Sequence, residues 1–215
     1  MMADKDAEAL KALLPVVGIS TVVVVAIGLL GRAFTERRVY AQDGQYLVSV
    51  RGPGQWNDIR DFVQPDKLGV VALYSDVGPD VWGCLDLVCR NISYRQDIGE
   101  FWQFPSETIW KGAGDCEDTS ILLTSLLRNF TNAHVALGSF QGYGHAWSQI
   151  DGQILETTFT SARAVPDPAQ YCPYIYFNDT EVIELWPGAL GEVFELGRDE
   201  ATKLALMARV LEAIA

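Results

Sequence analysis

Histidine is nearly absent from this 215-residue sequence, so any chemistry that needs an imidazole must use His134 or His145. Cysteine is sparse too. Cys84, Cys89, Cys116 and Cys172 are irregularly spaced and form no Cys-x-x-Cys pair, which excludes a disulfide framework and the usual zinc and dithiol motifs. Basic residues are outnumbered, sixteen Lys and Arg against twenty-eight Asp and Glu, for a net charge of −12 without a basic block. No nucleic-acid partner is expected on that balance. Internal repeats and low-complexity tracts are missing. What is plentiful is apolar residue, 49% of the chain, which suits one compact domain and argues against disorder.

Part of that apolar content is concentrated in one run. Ala12 to Gly31 contains twenty residues and no charge, a length of roughly 30 Å as a helix, and predicts a transmembrane segment. A cleaved signal peptide is the rival, but Asp4, Asp6 and Glu8 stand against Lys5 and Lys11 where a basic n-region belongs. The expected organisation is a polar tail at 1–11, a membrane helix at 12–31, a domain at 32–198 and an amphipathic helix at 199–215. The chain then reads as a single-pass membrane protein. Two signals for orientation disagree: Arg32, Arg37 and Arg38 favour a cytoplasmic domain, whereas sequons at Asn91, Asn129 and Asn178 favour an exterior one.

Within the domain, Asp43-Gly44 and Asp151-Gly152 each join two runs of strand character and predict tight hairpins. Val81, Cys84, Leu85, Val88 and Ile92 have helical spacing, placing Cys84 in a core. A glycine-containing loop, Lys111 to Asp115, leads into a second helix that begins at Cys116 and continues through Ile121, Leu122, Ser125, Leu126 and Phe130. A thiol in the first turn of a helix meets partial positive charge and free backbone N–H groups, which favour the thiolate and an oxyanion. The second hairpin pairs Trp147 with Glu156, so His145 and Glu156 become diagonal neighbours on one face. A carboxylate there can orient an imidazole and fix its tautomer. His134 has no acid at comparable strand spacing and reads as structural or surface.

Gly114-Asp-Cys-Glu-Asp-Thr-Ser120, Gly144-His-Ala-Trp147 and Ile154-Leu-Glu-Thr-Thr158, in that order, resemble the core of the transglutaminase-like superfamily. The preceding Phe101 to Lys111 is similar to bacterial and archaeal transglutaminase-like cysteine peptidases. The resemblance spans roughly Val81 to Phe159. It implies an α+β fold with a papain-like core, in which the catalytic helix packs on an antiparallel sheet. It also implies Cys116 as nucleophile, His145 as base and acid, and Glu156 as the orienting acid, a departure from the usual Asp. Trp82, Trp102 and Gln103 are candidate oxyanion donors. No cofactor is required, but the resemblance offers calcium on Asp115 and Glu117, which would offset carboxylates that otherwise raise the thiol pKa. Without a metal, the same acids stabilise the helix start through its dipole.

The function expected is therefore a membrane-anchored thiol acyl-transfer enzyme, a peptidase or amidase acting on a protein or peptide. A crosslinking transglutaminase would use the same intermediate with an amine in place of water. A non-catalytic binding module on this fold is the alternative from another class.

Overall fold

The computed structural model describes residues 39–96 and 101–196. The first predicted hairpin is present as β1 (Val39–Gln42) and β2 (Gln45–Val48), joined through positive φ at Asp43 and Gly44. β3 (Asn57–Asp58) completes a three-stranded antiparallel sheet. Two helices follow, α1 (Leu68–Val77) and α2 (Val81–Asn91), the second capped by Asp80 on the Trp82 N–H. β4 (Ser93–Tyr94) pairs in parallel with β5 (Ala113–Gly114), and α3 (Pro105–Lys111) lies between them in the chain.

α4 (Cys116–Leu127) is the centre of the domain and buried almost throughout. It touches apolar clusters on two sides, Leu122 and Leu126 facing α1 and α2, and Ile121 facing the sheet. Its hydroxyls are all engaged: Thr119 donates to the Asp115 carbonyl at 2.7 Å, Ser125 to the Ile121 carbonyl at 2.7 Å, and Thr124 shares a bond with Ser148 at 2.9 Å. Small hydroxylated residues let the helix approach the sheet closely without leaving polar atoms orphaned.

The main sheet is antiparallel, ordered β10-β9-β6-β7-β8, from β6 (His134–Phe140), β7 (Tyr143–Ile150), β8 (Gln153–Leu155), β9 (Tyr171–Phe177) and β10 (Val182–Glu184). Val135, Leu137, Ala146, Ile175 and Phe177 pack with Ile121 and with Ala189 and Leu190 of α5 (Ala189–Leu196). Ala136, Trp147 and Tyr171 form a separate aromatic cluster with Phe140. The β7-β8 register, Ser148 opposite Leu155, is the one the Asp151-Gly152 turn predicts. β8 is only three residues long, and directly after it Glu156 accepts the Thr158 N–H at 2.9 Å as the chain leaves the ladder.

The single-pass membrane assignment is corrected here. Among the described residues no helix is long and apolar enough to cross a membrane. Their longest, α4, has twelve residues and rises only about 18 Å, and the protein core already covers it. The expected segments at 1–11, 12–31 and 199–215 lie outside the described residues. The sequon at Asn178 has a structural explanation. Its side chain is fully buried, and its Oδ1 accepts from the Thr180 N–H and hydroxyl at 2.9 Å and from the Glu181 N–H at 3.0 Å. Thr two residues after Asn closes a turn.

Candidate active site

Cys116 is the first residue of α4 because Asp115 caps the helix, its carboxylate accepting from the Asp118 N–H while Asp118 accepts from the Asp115 N–H. Fully buried Asp118 also accepts from the Gln103 backbone at 2.7 Å and from the Gln103 side chain, tying segment 101–104 to the start of the helix. Gly114 makes room for this, since a Cβ there would lie 2.6 Å from that of Asp118. Arg51 holds the same segment from outside, donating to the Trp102 carbonyl at 2.7 Å and gripping Glu107 through both terminal nitrogens.

His145 and Glu156 meet as the hairpin register requires, His145 Nε2 bonding Glu156 Oε2 at 2.8 Å. Both are buried, at 5% and 1% exposure. Tyr171, which the sequence did not mark, donates its hydroxyl to the same Oε2 at 2.9 Å, and Thr158 gives its N–H and hydroxyl to Oε1 at 2.9 and 2.7 Å. Burial pushes the Glu156 carboxyl up, but the charge and hydrogen bond of His145, with the Thr158 donors, outweigh it and bring the pKa down to about 2. Glu156 is an anion at neutral pH. Its bond to Nε2 leaves His145 Nδ1 as the free nitrogen, buried and without a hydrogen-bond partner.

The thiol is adjacent to this pair in the sheet but not bonded to it. Cys116 donates to Glu117 Oε2 at 2.9 Å. Burial first, then the charges of Glu117 and Asp115, push its pKa well above the ordinary thiol value, while the Ala146 N–H on β7 works the other way. Ala146 follows His145 directly, so the thiol lies against the strand that carries the imidazole. Tyr94 shares this environment; burial, followed by the charges of Cys116, Asp115, Glu117 and Glu156, keeps its phenol protonated. The Thr119 and Thr157 hydroxyls, 2.8 Å apart, clamp the helix start to the turn after Glu156.

Of the three expected oxyanion donors, Gln103 spends its amide on Asp118 and on the Ala113 carbonyl, and Trp82 is 39% exposed on α2. Trp102 is buried with its indole N–H unpartnered. The expected calcium pair, Asp115 and Glu117, stands at the start of α4. Among the described residues no group of three or more His, Cys, Asp or Glu could hold a metal ion. Asp115 is engaged as the helix cap and Glu117 holds the thiol, so neither role calls for a metal. His134 does have an acid, Glu181 at 2.9 Å, which comes from beyond the neighbouring strand β9 and so escapes a spacing argument. The Cys84 and Cys89 thiols are buried and pushed up to about 11 and about 12 by desolvation, whereas Cys172 is exposed.

Wild type should lose stability in acid through Glu156. A carboxyl whose folded pKa lies below its unfolded value of 4.5 adds stability that is complete above pH 4.5 and is lost as pH falls towards 2. Urea titrations at pH 6 and pH 3 should therefore show the wild type losing more than Glu156→Gln between the two pH values; equal losses would contradict the assignment.

No protein-family model matches this sequence, and no curated protein matches it. Solved structures of LapG from Legionella pneumophila are similar. One has a TM-score of 0.45 at 17% identity, covering 58% of this chain and 86% of that one. The EGTA-treated form has a TM-score of 0.46 at 16% identity over 59% and 85%, and the calcium-bound form 0.38 at 16% over 62% and 98%.

Proposed function

We propose that this protein is a thiol acyl-transfer enzyme of the cysteine peptidase or amidase type, with Cys116 as nucleophile, His145 as base and acid, and Glu156 as the group that orients it. The observation that carries this reading is the buried His145–Glu156 bond through Nε2, which leaves Nδ1 unpartnered beside the strand position that contacts the Cys116 thiol. Turning Sγ from Glu117 towards Nδ1 moves the thiol proton to the imidazole. The product is an ion pair, not an isolated thiolate, and the Glu156 anion balances the imidazolium.

Sγ then attacks the substrate carbonyl carbon, and the carbonyl π electrons move to oxygen. The Cys116 backbone N–H at the helix start is a donor for that oxyanion, and Trp102 supplies an uncommitted second donor. Collapse breaks the C–N bond as Nδ1–H protonates the leaving amine. Water, deprotonated by Nδ1, attacks the thioester, the C–S bond breaks, and the thiol recovers its proton. An amine in place of water would give transamidation. Hydrolysis is the outcome we propose, with transamidation as the alternative.

Iodoacetamide labelling near neutral pH tests the reading, with exposed Cys172 as an internal standard for an ordinary thiol. Cys116 should be alkylated faster than Cys172 in the wild type and slower than Cys172 in His145→Ala. A Cys116 that never outpaces Cys172 would sink the catalytic assignment and leave the binding-module alternative.

A further inference from the structure

Next to the start of α4 is an open cavity of about 420 Å³ that the acyl-transfer steps do not use. Arg95, Gln103, Trp110, Lys111, Ala113 and Gly114 line it. Gly114 precedes Cys116 by two residues, which keeps their Cα atoms within about 7 Å. A peptide presenting a carbonyl to Cys116 therefore brings a side chain from one of the next two residues within reach of this wall.

Backbone bonds fix the lining. Tyr94 pairs with Gly114 across the parallel ladder, and the Arg95 N–H donates to the Gly114 carbonyl at 2.8 Å, holding Arg95 beside the loop that leads to the thiol. Trp110 and Lys111 end α3, which stops where Gly112 turns left-handed. Trp110 is 85% exposed, an indole on the rim with one face available to a ligand.

The charge of this lining opposes that of the molecule. In a chain of net charge −12, with Asp115 and Glu117 at the thiol, the cavity's ionisable lining among the described residues is two cations and no carboxylate. Arg51, Arg60, Arg90 and Arg128 each pair with an acid. Arg95 and Lys111 form no salt bridge among the described residues, and Lys111 instead stands 5.4 Å from the centre of the Phe101 ring. Gln103 turns its amide nitrogen to Asp118 and Ala113, which leaves the two cations as the charged donors beside the Trp110 indole. A guanidinium is built to grip a carboxylate through two parallel bonds, and a neighbouring ammonium adds to the attraction.

We propose that this cavity is a substrate subsite for a carboxylate, so that the enzyme prefers peptides with Asp or Glu within two residues of the scissile bond. The inference rests on the acyl-transfer reading and names its substrate class. A free C-terminal carboxylate has the same chemistry, and the test separates the two sources.

The full chain is incubated with a peptide library made by proteolysis of a whole-cell extract, and cleavage sites are read by mass spectrometry, with Cys116→Ala as background. Peptides bearing Asp or Glu within two residues of the cut should be cleaved about tenfold faster than neutral ones. That ratio should fall towards one in the double variant Arg95→Gln, Lys111→Gln, and should weaken as salt rises. Cuts clustered at peptide ends regardless of sequence would assign the cavity to the C-terminal carboxylate and overturn the side-chain proposal. Cleavage without acidic preference, or a preference unchanged in the double variant, overturns the proposal and leaves the acyl-transfer reading standing. A chain that cuts no peptide overturns the acyl-transfer reading instead, and the cavity is then judged alone by NMR. The Trp110 indole N–H should shift with N-acetyl-aspartylamide and not with N-acetyl-asparagine amide; a signal that moves with neither overturns the carboxylate site.

Discussion

Replacing Glu156 by Gln should slow Cys116 alkylation and peptide cleavage about a thousandfold or more while leaving the fold in place. The reason lies in the donors around the carboxylate. Oε1 accepts the Thr158 backbone N–H and Oε2 accepts His145 and Tyr171, so each oxygen faces a donor. A Gln has one acceptor and one donor to offer those two positions. The Thr158 N–H cannot reverse, whereas the Tyr171 hydroxyl can rotate and His145 can change tautomer. The amide oxygen therefore stays at Thr158 and the NH2 faces His145 Nε2. Nε2 must then accept, its proton moves to Nδ1, and the nitrogen that should receive the thiol proton is already occupied. Nitrogen-15 NMR of the imidazole should show that tautomer directly. A Glu156→Gln chain that reacts as fast as the wild type would mean that Glu156 does not set the state of His145.

The pieces of this network differ in how far the sequence revealed them. Cys116 at a helix start and the diagonal of His145 and Glu156 follow from local rules, a capping residue and a two-residue turn, and both are present. Trp102 is offered only by the family resemblance, alongside Trp82 and Gln103, whereas Tyr171 reaches Glu156 from a segment distant in sequence, through strand pairing that no local pattern encodes. The same holds for Glu181 on His134. α1 was missed because its apolar residues show little sidedness, Leu68 being 86% exposed while Val70 is buried. The acids next to the thiol have local roles that composition does not reveal: Asp115 serves the backbone and Glu117 serves the thiol. Adjacent carboxylates in sequence need not converge in space.

Gly138→Ala should be the most damaging change outside the site, costing about 3 kcal/mol or more, roughly 10 °C in melting temperature. Gly138 pairs with His145 on one side and Pro173 on the other, next to the register shift between Leu137 and Gly138. A Cβ there would lie 2.1 Å from the Cys172 carbonyl oxygen and 2.8 Å from the Pro173 Cα. Both are backbone atoms, so β9 itself has to move away and no side chain can relieve the clash. Tyr171 precedes Cys172, and its hydroxyl holds Glu156 while its ring packs 4.6 Å from Phe140 and 5.2 Å from Trp147. Displacing β9 thus loosens the hold of Tyr171 on Glu156. Thermal melts and Cys116 alkylation measured on the same variant decide the matter. Both should fall, with Tyr171→Phe lowering alkylation through the lost hydrogen bond while its melting temperature falls less than that of Gly138→Ala. A Gly138→Ala chain that melts like the wild type would show that β6 and β9 can part at this point without cost, contrary to a packing in which the glycine is what lets the two strands meet.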